Sequence, residues 1–233
     1  MKVKALRTRI FEEGETLEKF ILAYLPKLKD NSILVVTSKI VALSENRTDL
    51  AKNKDRVIKR ESQWVIPTKY IPLTIKDGML MAAAGIDESN AQGKLVLLPK
   101  DSFAAAAKLH KILLKKYKIK NLGILITDSR VLPLRAGVVG VALGYAGFKG
   151  VKDYRGQADI FGRVLKMTKV DIADSLATAA VLLMGEGNEQ KPLAIIAGAP
   201  VEFSNKINRK ELVIPLEDDL YAPLFGKIKL KNN

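Results

Sequence analysis

Two short runs, Ile33-Leu-Val-Val-Thr37 and Leu122-Gly-Ile-Leu-Ile-Thr127, are apolar at every position until a closing threonine. Such runs, rich in β-branched residues and bounded by polar ones, read as buried strands. What lies around them decides the fold class. Lys2–Ile10 alternates and reads as an opening strand. Thr16 is a candidate cap for a helix to Leu25, which Pro26 stops. Ser38-Lys39 opens a second helix through Leu43. Residues 44–63 are polar and charged, and are expected to form a mobile, partly helical insert. Tyr70–Ile75 and Met79–Ala83 read as strands around the turn Lys76-Asp77-Gly78, and Leu95–Leu98 as a short apolar segment. Asp101 or Ser102 caps a helix to about Tyr117. Val138–Leu143 and Leu193–Ala197 continue the strand pattern, and Val170–Met184 forms a helix with Ala and Leu on its inner face. Strands and helices mix without a strict βαβ alternation. The expected class is therefore α+β, with mixed sheets and packed helices. Residues 1–233 read as one unit with two subdomains.

Composition removes several chemistries. The chain has no cysteine and a single histidine, His110. Thiolate metal sites, disulfides and a cysteine nucleophile are excluded, and so is any two-histidine metal motif. A bound metal would need mainly oxygen ligands, which favours Mg²⁺ or Mn²⁺. The N-terminus carries charge at every second or third position, unlike a signal peptide. The longest uncharged apolar run, Ala136–Phe148, is too short and glycine-rich to span a bilayer. A soluble cytoplasmic protein is expected.

The formal net charge is +14. Such an excess suggests polyanionic partners: nucleic acid, phosphorylated cofactors or polycarboxylates. Much of it lies in two segments. Lys52 to Arg60 holds five basic residues against Asp55, and Lys108 to Lys120 holds six lysines and no acid. No aromatic residues interleave as in a single-strand binding platform. The lysine run reads as a solvated helix face, with His110 on its surface, so nucleic acid is the least favoured partner.

Neither G-x-x-x-x-G-K-[ST] nor G-x-G-x-x-G after a strand is present. The glycines at 137, 140, 144, 147 and 150 read as tight turns and close packing. Three acids stand out by position. Asp87 lies in a polar turn after the apolar Leu80–Ala84. Asp128 closes the strand Leu122–Thr127 and is followed by Ser129, and Glu186 follows Met184-Gly185 at a helix exit. Strand ends and loops are where rigid scaffolds present functional groups. Each acid alone is more often a cap or turn former. Together they would make an oxygen-ligand site. Arg135, Arg155 and Arg163 are candidate anion contacts. The plain alternative for Arg155 is a surface pair with Asp159. Gly156 and Gly162 argue for a loop there instead of a helix.

The segments Leu34–Val41, Leu73–Asn90, Leu97–Pro99, Ile126–Ser129, Asp153–Gly156, Asp159, Gly162-Arg163, Ile172–Asp174 and Leu183–Glu186 follow in order over nearly the whole chain. In these the chain resembles the coenzyme F420-0:L-glutamate ligases, a family of gamma-glutamyl ligases. The Ala84-Gly-Ile-Asp-Glu-Ser-Asn90 and Asp153-Tyr-Arg-Gly156 segments are its most specific parts. The resemblance implies a two-domain subunit forming an intertwined homodimer. It implies ligation of L-glutamate to a cofactor carboxylate at the expense of GTP, through an acyl phosphate. It assigns Asp87, Asp128, Ser129 and Glu186 to a Mg²⁺ or Mn²⁺ site, with Asp87, Asp128 and Glu186 as the catalytic acids. Ser38, Lys39 and Asn90 would contact GTP, as would the stretch Arg9, Ile10, Phe11 and Glu12. Arg135, Arg155 and Arg163 would bind carboxylates or phosphates of the substrate.

The chain also departs from the family pattern. Leu43 stands where a lysine is usual. Leu134, Val139 and Gly140 stand where Trp, Thr and Asp are usual. The acceptor is therefore F420-0 or a folate, whose polyglutamylation relatives of this kind have been linked to. Two other readings compete. One is a family member that binds nucleotide or cofactor without ligation, and the other is a basic nucleic-acid-binding protein.

Overall fold

The computed structural model describes residues 1–225. In chain order the elements are β1 (Lys2–Leu6), α1 (Leu17–Tyr24), β2 (Ser32–Thr37), α2 (Ser38–Ser44), β3 (Thr48–Leu50), α3 (Lys54–Glu61), β4 (Trp64–Ile66), β5 (Leu73–Lys76) and β6 (Met79–Ala82). They continue with β7 (Lys94–Val96), α4 (Ser102–Tyr117), β8 (Leu122–Val131), β9 (Val138–Ala146), β10 (Val151–Asp153), β11 (Lys169–Asp171), α5 (Ile172–Met184) and β12 (Leu193–Ala197). The class is α+β, as expected.

The main sheet has the order β1-β12-β2-β8-β9, and only β2 and β8 run parallel. These two are the all-apolar runs, and each is buried on both faces. On one face Leu34, Val36, Leu122, Ile124 and Ile126 pack against Phe20 and Ile21 of α1, Ile40 and Val41 of α2, and Leu109 and Leu113 of α4. On the other, Ile33, Val35 and Leu125 pack against Ala173, Leu176, Ala177 and Ala180 of α5. The alternation of strand side chains sends successive residues into different helix layers. Each fully buried Leu, Ile or Phe stabilises the fold by roughly 1.5–3 kcal/mol.

Local chemistry sets the boundaries. The Asp101 side chain accepts the Ala104 N–H at 2.9 Å and starts α4. Asp77 and Gly78 both have positive φ, which makes the tight turn between β5 and β6. Gly140 on β9 lies directly under α5: a Cβ there would sit 2.5 Å from the Ala177 carbonyl oxygen. The close-packing reading of that glycine holds.

Some expectations change. Residues 44–63 are partly helical, as expected, but they pack into the fold through a core of their own. They form β3, a 3₁₀ turn and α3, whose Val57 and Ile58 are buried with Ala83, Ala84, Ile86, Leu95 and Leu97 in a second small core. Polar composition concealed this because only two of the eight residues of α3 face inward. β8 and β9 run further than their apolar stretches, as a hairpin whose register shifts between Ile126 and Thr127. His110 is half-buried at the surface, lining a small pocket with Lys120 and Asn121, and burial lowers its pKa. Both basic segments fall on helices and are partly neutralised. Lys54 pairs with Glu88 at 2.6 Å, Lys108 with Glu18, and Arg60 with Asp49 at 3.6 Å. Among the described residues no helix is long and apolar enough to cross a membrane.

Candidate active site

β2 and β8 are parallel neighbours, and β2 ends beside Thr127, where β8 continues to Val131 paired only with β9, so Asp128 lies within β8 and not at its end. Thr37 pairs with Thr127, so the next residues, Ser38 and Asp128, emerge side by side. Ser38 Oγ donates to Asp128 Oδ1 at 3.3 Å. The register shift in the β8–β9 hairpin falls one residue before Asp128, and such bulges commonly re-aim side chains beside functional sites. A cleft of about 420 Å³ lies here. Its lining includes Ser38, Lys39, Asp87, Asn90, Asp128, Ser129 and Glu186.

Asp87 arrives from a strained segment. Ala83, Ala84 and Gly85 are successive residues with positive φ, and both alanines are buried. Thr74 Oγ1 holds this bend, accepting the Ala84 N–H and donating to the Met81 carbonyl, both at 2.8 Å. Two alanines in the left-handed region cost of order 1–2 kcal/mol each, and such strain concentrates at functional sites. Asp87 then bonds across to Val96 of β7 through both backbone groups. Its carboxylate accepts the Ser89 N–H at 2.6 Å and the Ser89 hydroxyl at 3.0 Å, and lies 2.7 Å from Lys39 Nζ.

Glu186 arrives from α5. Gly185 ends that helix at φ +83°, where an L side chain would be strained, and turns the chain into the cleft. Ser129 Oγ donates to Glu186 Oε2 at 3.2 Å. Asn90 Nδ2 donates to the Gly187 carbonyl at 3.3 Å, tying the Asp87 loop to the Glu186 loop. The Glu186 loop is anchored in turn. Thr8 N–H donates to the Gln190 carbonyl and Thr37 N–H to the Pro192 carbonyl.

The three acids differ electrostatically. Burial works against the Asp87 charge, but Lys39 and Ser89 outweigh it and hold its pKa below the ordinary value. Burial raises the Asp128 pKa, and the nearby Asp87 charge adds to the effect. Glu186 is raised by burial and by the charges of Asp128 and Asp87. Among the described residues no three acids converge closely enough to hold an ion together.

The fold thus brings Asp87, Asp128, Ser129, Glu186, Ser38, Lys39 and Asn90 to one cleft from four remote segments. Arg9, Ile10 and Phe11 also line it. Arg9 is engaged by Glu15 in a two-point ion pair, with Nη1–Oε1 at 2.6 Å and Nη2–Oε2 at 2.5 Å. Glu12 lies beside that pair, its N–H donating to Glu15 at 2.6 Å. Leu43, in the place of the usual lysine, lines the cleft as well. Arg135, Arg155 and Arg163 do not line it. Arg135 is on the β8–β9 loop. Arg155 pairs with Asp153 at 2.6 Å, not with Asp159, whose carboxylate accepts the Arg163 N–H at 2.9 Å. Arg155 and Arg163 lie on an excursion between β10 and β11 without regular helix, which agrees with the loop reading. Sequence reasoning missed two participants. Ser89 is the principal hydrogen-bond donor to Asp87, and its place in the Asp-Glu-Ser-Asn segment was the available signal. Arg130 is buried behind Asp128, and nothing in its sequence setting marked it.

Proteins of similar sequence point to one family. A family model described as F420-0:Gamma-glutamyl ligase matches residues 49–198. A coenzyme F420:L-glutamate ligase of Methanocaldococcus jannaschii is 34% identical, over 95% of this chain and 96% of its own length. The enzyme of that name from Methanococcus maripaludis is 35% identical over 90% of this chain and 91% of its own. One from Methanosarcina acetivorans is 30% identical over the full length of both. By its ordered motifs, the cleft they build and these full-length matches, the chain belongs to the F420-0:gamma-glutamyl ligase family.

Proposed function

We infer that the chain is a GTP-dependent gamma-glutamyl ligase joining L-glutamate to the carboxylate of a cofactor of the F420 type. The observation that carries this reading is the meeting of Asp87, Asp128, Ser129 and Glu186 with Ser38, Lys39 and Asn90 in one cleft. A carboxylate does not form an amide at neutral pH without an activated acyl group. In the proposed sequence an acceptor carboxylate oxygen attacks the γ-phosphorus of GTP. The bond from that phosphorus to the GDP oxygen breaks, and GDP leaves. The glutamate nitrogen then attacks the acyl carbon, phosphate departs with the electron pair of the broken C–O bond, and the nitrogen gives up its proton. This chemistry requires carboxylates and cations but neither thiol nor imidazole, which suits a chain with no cysteine and one histidine.

The chemistry of the donors suits a divalent cation, while their present spacing would have to close around it. The donors are all oxygens, and Asp128 and Glu186 accept only from serine hydroxyls among side chains. Asp87, Asp128, Ser129 and Glu186 would hold Mg²⁺ or Mn²⁺. When bound, the ion neutralises phosphate charge during transfer. Ser38, Lys39 and Asn90 would bind the nucleotide, with Arg9 to Phe11 forming the adjacent wall. Arg135, Arg155 and Arg163 lie off the cleft of their own subunit, so on this reading they reach substrate across a homodimer. The excursion carrying Arg155 and Arg163 also carries Ile160 and Phe161, which are 91% and 89% exposed. A large apolar pair so exposed supports association, and light scattering behind gel filtration tests it.

The second reading is a folate acceptor, favoured by Leu134, Val139 and Gly140 where the family usually has Trp, Thr and Asp. GTP cleavage tests the mechanism. It should require both acceptor and glutamate, and an ¹⁸O-labelled acceptor carboxylate should pass one label to inorganic phosphate. Cleavage without label transfer would remove the acyl phosphate.

A further inference from the structure

The cleft carries cations of its own. Lys39 Nζ lies 2.7 Å from Asp87 Oδ2 and donates to the Ser89 carbonyl at 2.8 Å and the Ser89 hydroxyl at 3.3 Å. An ammonium group has three donors; here two are taken by Ser89, and the charge is paired with Asp87. In this arrangement Lys39 is held by the Asp87 loop, although it is the residue expected to hold a phosphate. Asp87 is correspondingly occupied by Lys39 and Ser89, and the three acids do not form a ligating cluster.

A second cation stands behind them. Arg130 is two residues after Asp128 on β8, so both side chains leave the same face of the strand. It is only 7% exposed, and its Nε and Nη2 have no hydrogen-bond partner among the described residues. Asp128 is the acid whose charge acts on it most strongly. A buried guanidinium cannot shed its charge, and burial holds it in place.

These observations make a charge balance. Lys39 and Arg130 are the cations that act on Asp87, Asp128 and Glu186, so this inner group of five carries one net negative charge, with Arg9, Glu189 and Lys191 further along the lining. A divalent ion entering alone would reverse that sign and lie against Lys39. A polyphosphate entering with it would restore the balance and give the ammonium a new acceptor. We propose that Lys39 is a resident counter-ion of Asp87 that is handed over to the nucleotide, so that divalent cation and nucleotide bind cooperatively. The proposal rests on the ligase reading above. Lys39 leaves Asp87 for the phosphates, and the freed Asp87 carboxylate turns to the cation. Arg130 stays in place and keeps the binding of the cation alone weak. The coupling is reciprocal: each ligand tightens the other by the same factor.

The test measures Mn²⁺ binding to the purified full-length protein by electron paramagnetic resonance, with and without a non-hydrolysable GTP analogue. Wild type should bind Mn²⁺ at least about tenfold more tightly with the analogue. Lys39→Met and Lys39→Gln should bind Mn²⁺ alone about tenfold more tightly than wild type, because a nearby positive charge is gone. They should bind the analogue more weakly, and the coupling should shrink by the factor the Mn²⁺ affinity gains. Glutamine keeps a hydrogen-bond donor without the charge, and circular dichroism confirms that both variants fold. Unchanged or weaker Mn²⁺ binding by both folded variants, with wild type binding normally, would overturn the handover and leave the ligase reading standing. A wild type that binds no Mn²⁺ in either condition would remove the metal site itself, and the handover with it.

Discussion

Gly140→Ala probes the link between the packing of α5 and the delivery of Glu186. Gly140 pairs with Ser129 across the β8–β9 hairpin, and its carbonyl accepts the Thr178 hydroxyl of α5 at 2.7 Å. A Cβ at this position would stand 2.5 Å from the Ala177 carbonyl oxygen and 2.6 Å from Val181 Cγ2. Ordinary contact begins near 3.4 Å, so α5 or β9 must move by about 0.9 Å. Overpacking of this kind costs roughly 1–3 kcal/mol. At 2–4 °C per kcal/mol for a chain of this size, the melting temperature should fall by about 2–12 °C. The helix then carries the displacement to Gly185 and Glu186, two turns beyond Ala177. A misplacement near 1 Å costs up to about 100-fold in rate, so kcat/KM should fall by roughly 10- to 100-fold. Thermal denaturation and a glutamate-ligation rate assay read the two effects. A variant with wild-type melting temperature and rate would refute the packing argument. A lowered melting temperature with an unchanged rate would show that α5 moves without carrying Glu186.

Other substitutions address separate parts of the account. Asp128→Ala should fold, as near-ultraviolet circular dichroism would show, and lose at least about 100-fold in ligation rate, in the range expected for a transition-state electrostatic contact. Asp101→Ala removes the α4 cap and the ion pair with Arg209. It should cost about 1 kcal/mol, seen as a drop of about 2–4 °C with ligation unchanged. Asp171 has its pKa pushed up to about 6 by burial and by the Asp174 charge. A raised carboxyl pKa favours the folded state at low pH. That contribution is full below the unfolded value near 3.8 and is lost as pH rises through about 6. Asp171→Asn, which keeps a capping side chain, should flatten the dependence of stability on pH between 4 and 6. An identical profile would contradict the assignment.

The legible parts of the fold were those governed by local rules. β2 and the first half of β8 follow from continuous apolar runs, α4 from the Asp101 cap, and the β5–β6 turn from Asp77-Gly78. Asp87, Asp128 and Glu186 were visible as acids at the ends of apolar segments, and the ordered motifs joined them to one family. Their meeting was not visible. It depends on β2 and β8 being parallel neighbours, and nothing local in either strand states its partner. The order of residues 44–63 was hidden because Val57 and Ile58 alone anchor a charged helix. The second half of β8 is more polar, and its pairing with β9 is set by the hairpin and its bulge. Ala83 and Ala84 gave no sign of positive φ, since the Thr74 hydroxyl that holds them lies nine residues earlier. Arg130 looked like any charged residue near a turn. Only the packed structure shows it buried with unpaired donors beside Asp128.

The central claim is that this cleft performs glutamate ligation. Its most direct test is the mass of F420-0 and of a folate after incubation with GTP, Mn²⁺, L-glutamate and either wild-type protein or Asp128→Ala. The account predicts one or more added glutamyl units on one acceptor with wild type and none with the variant. No mass gain on either acceptor with wild type, or an equal gain with the variant, would contradict it.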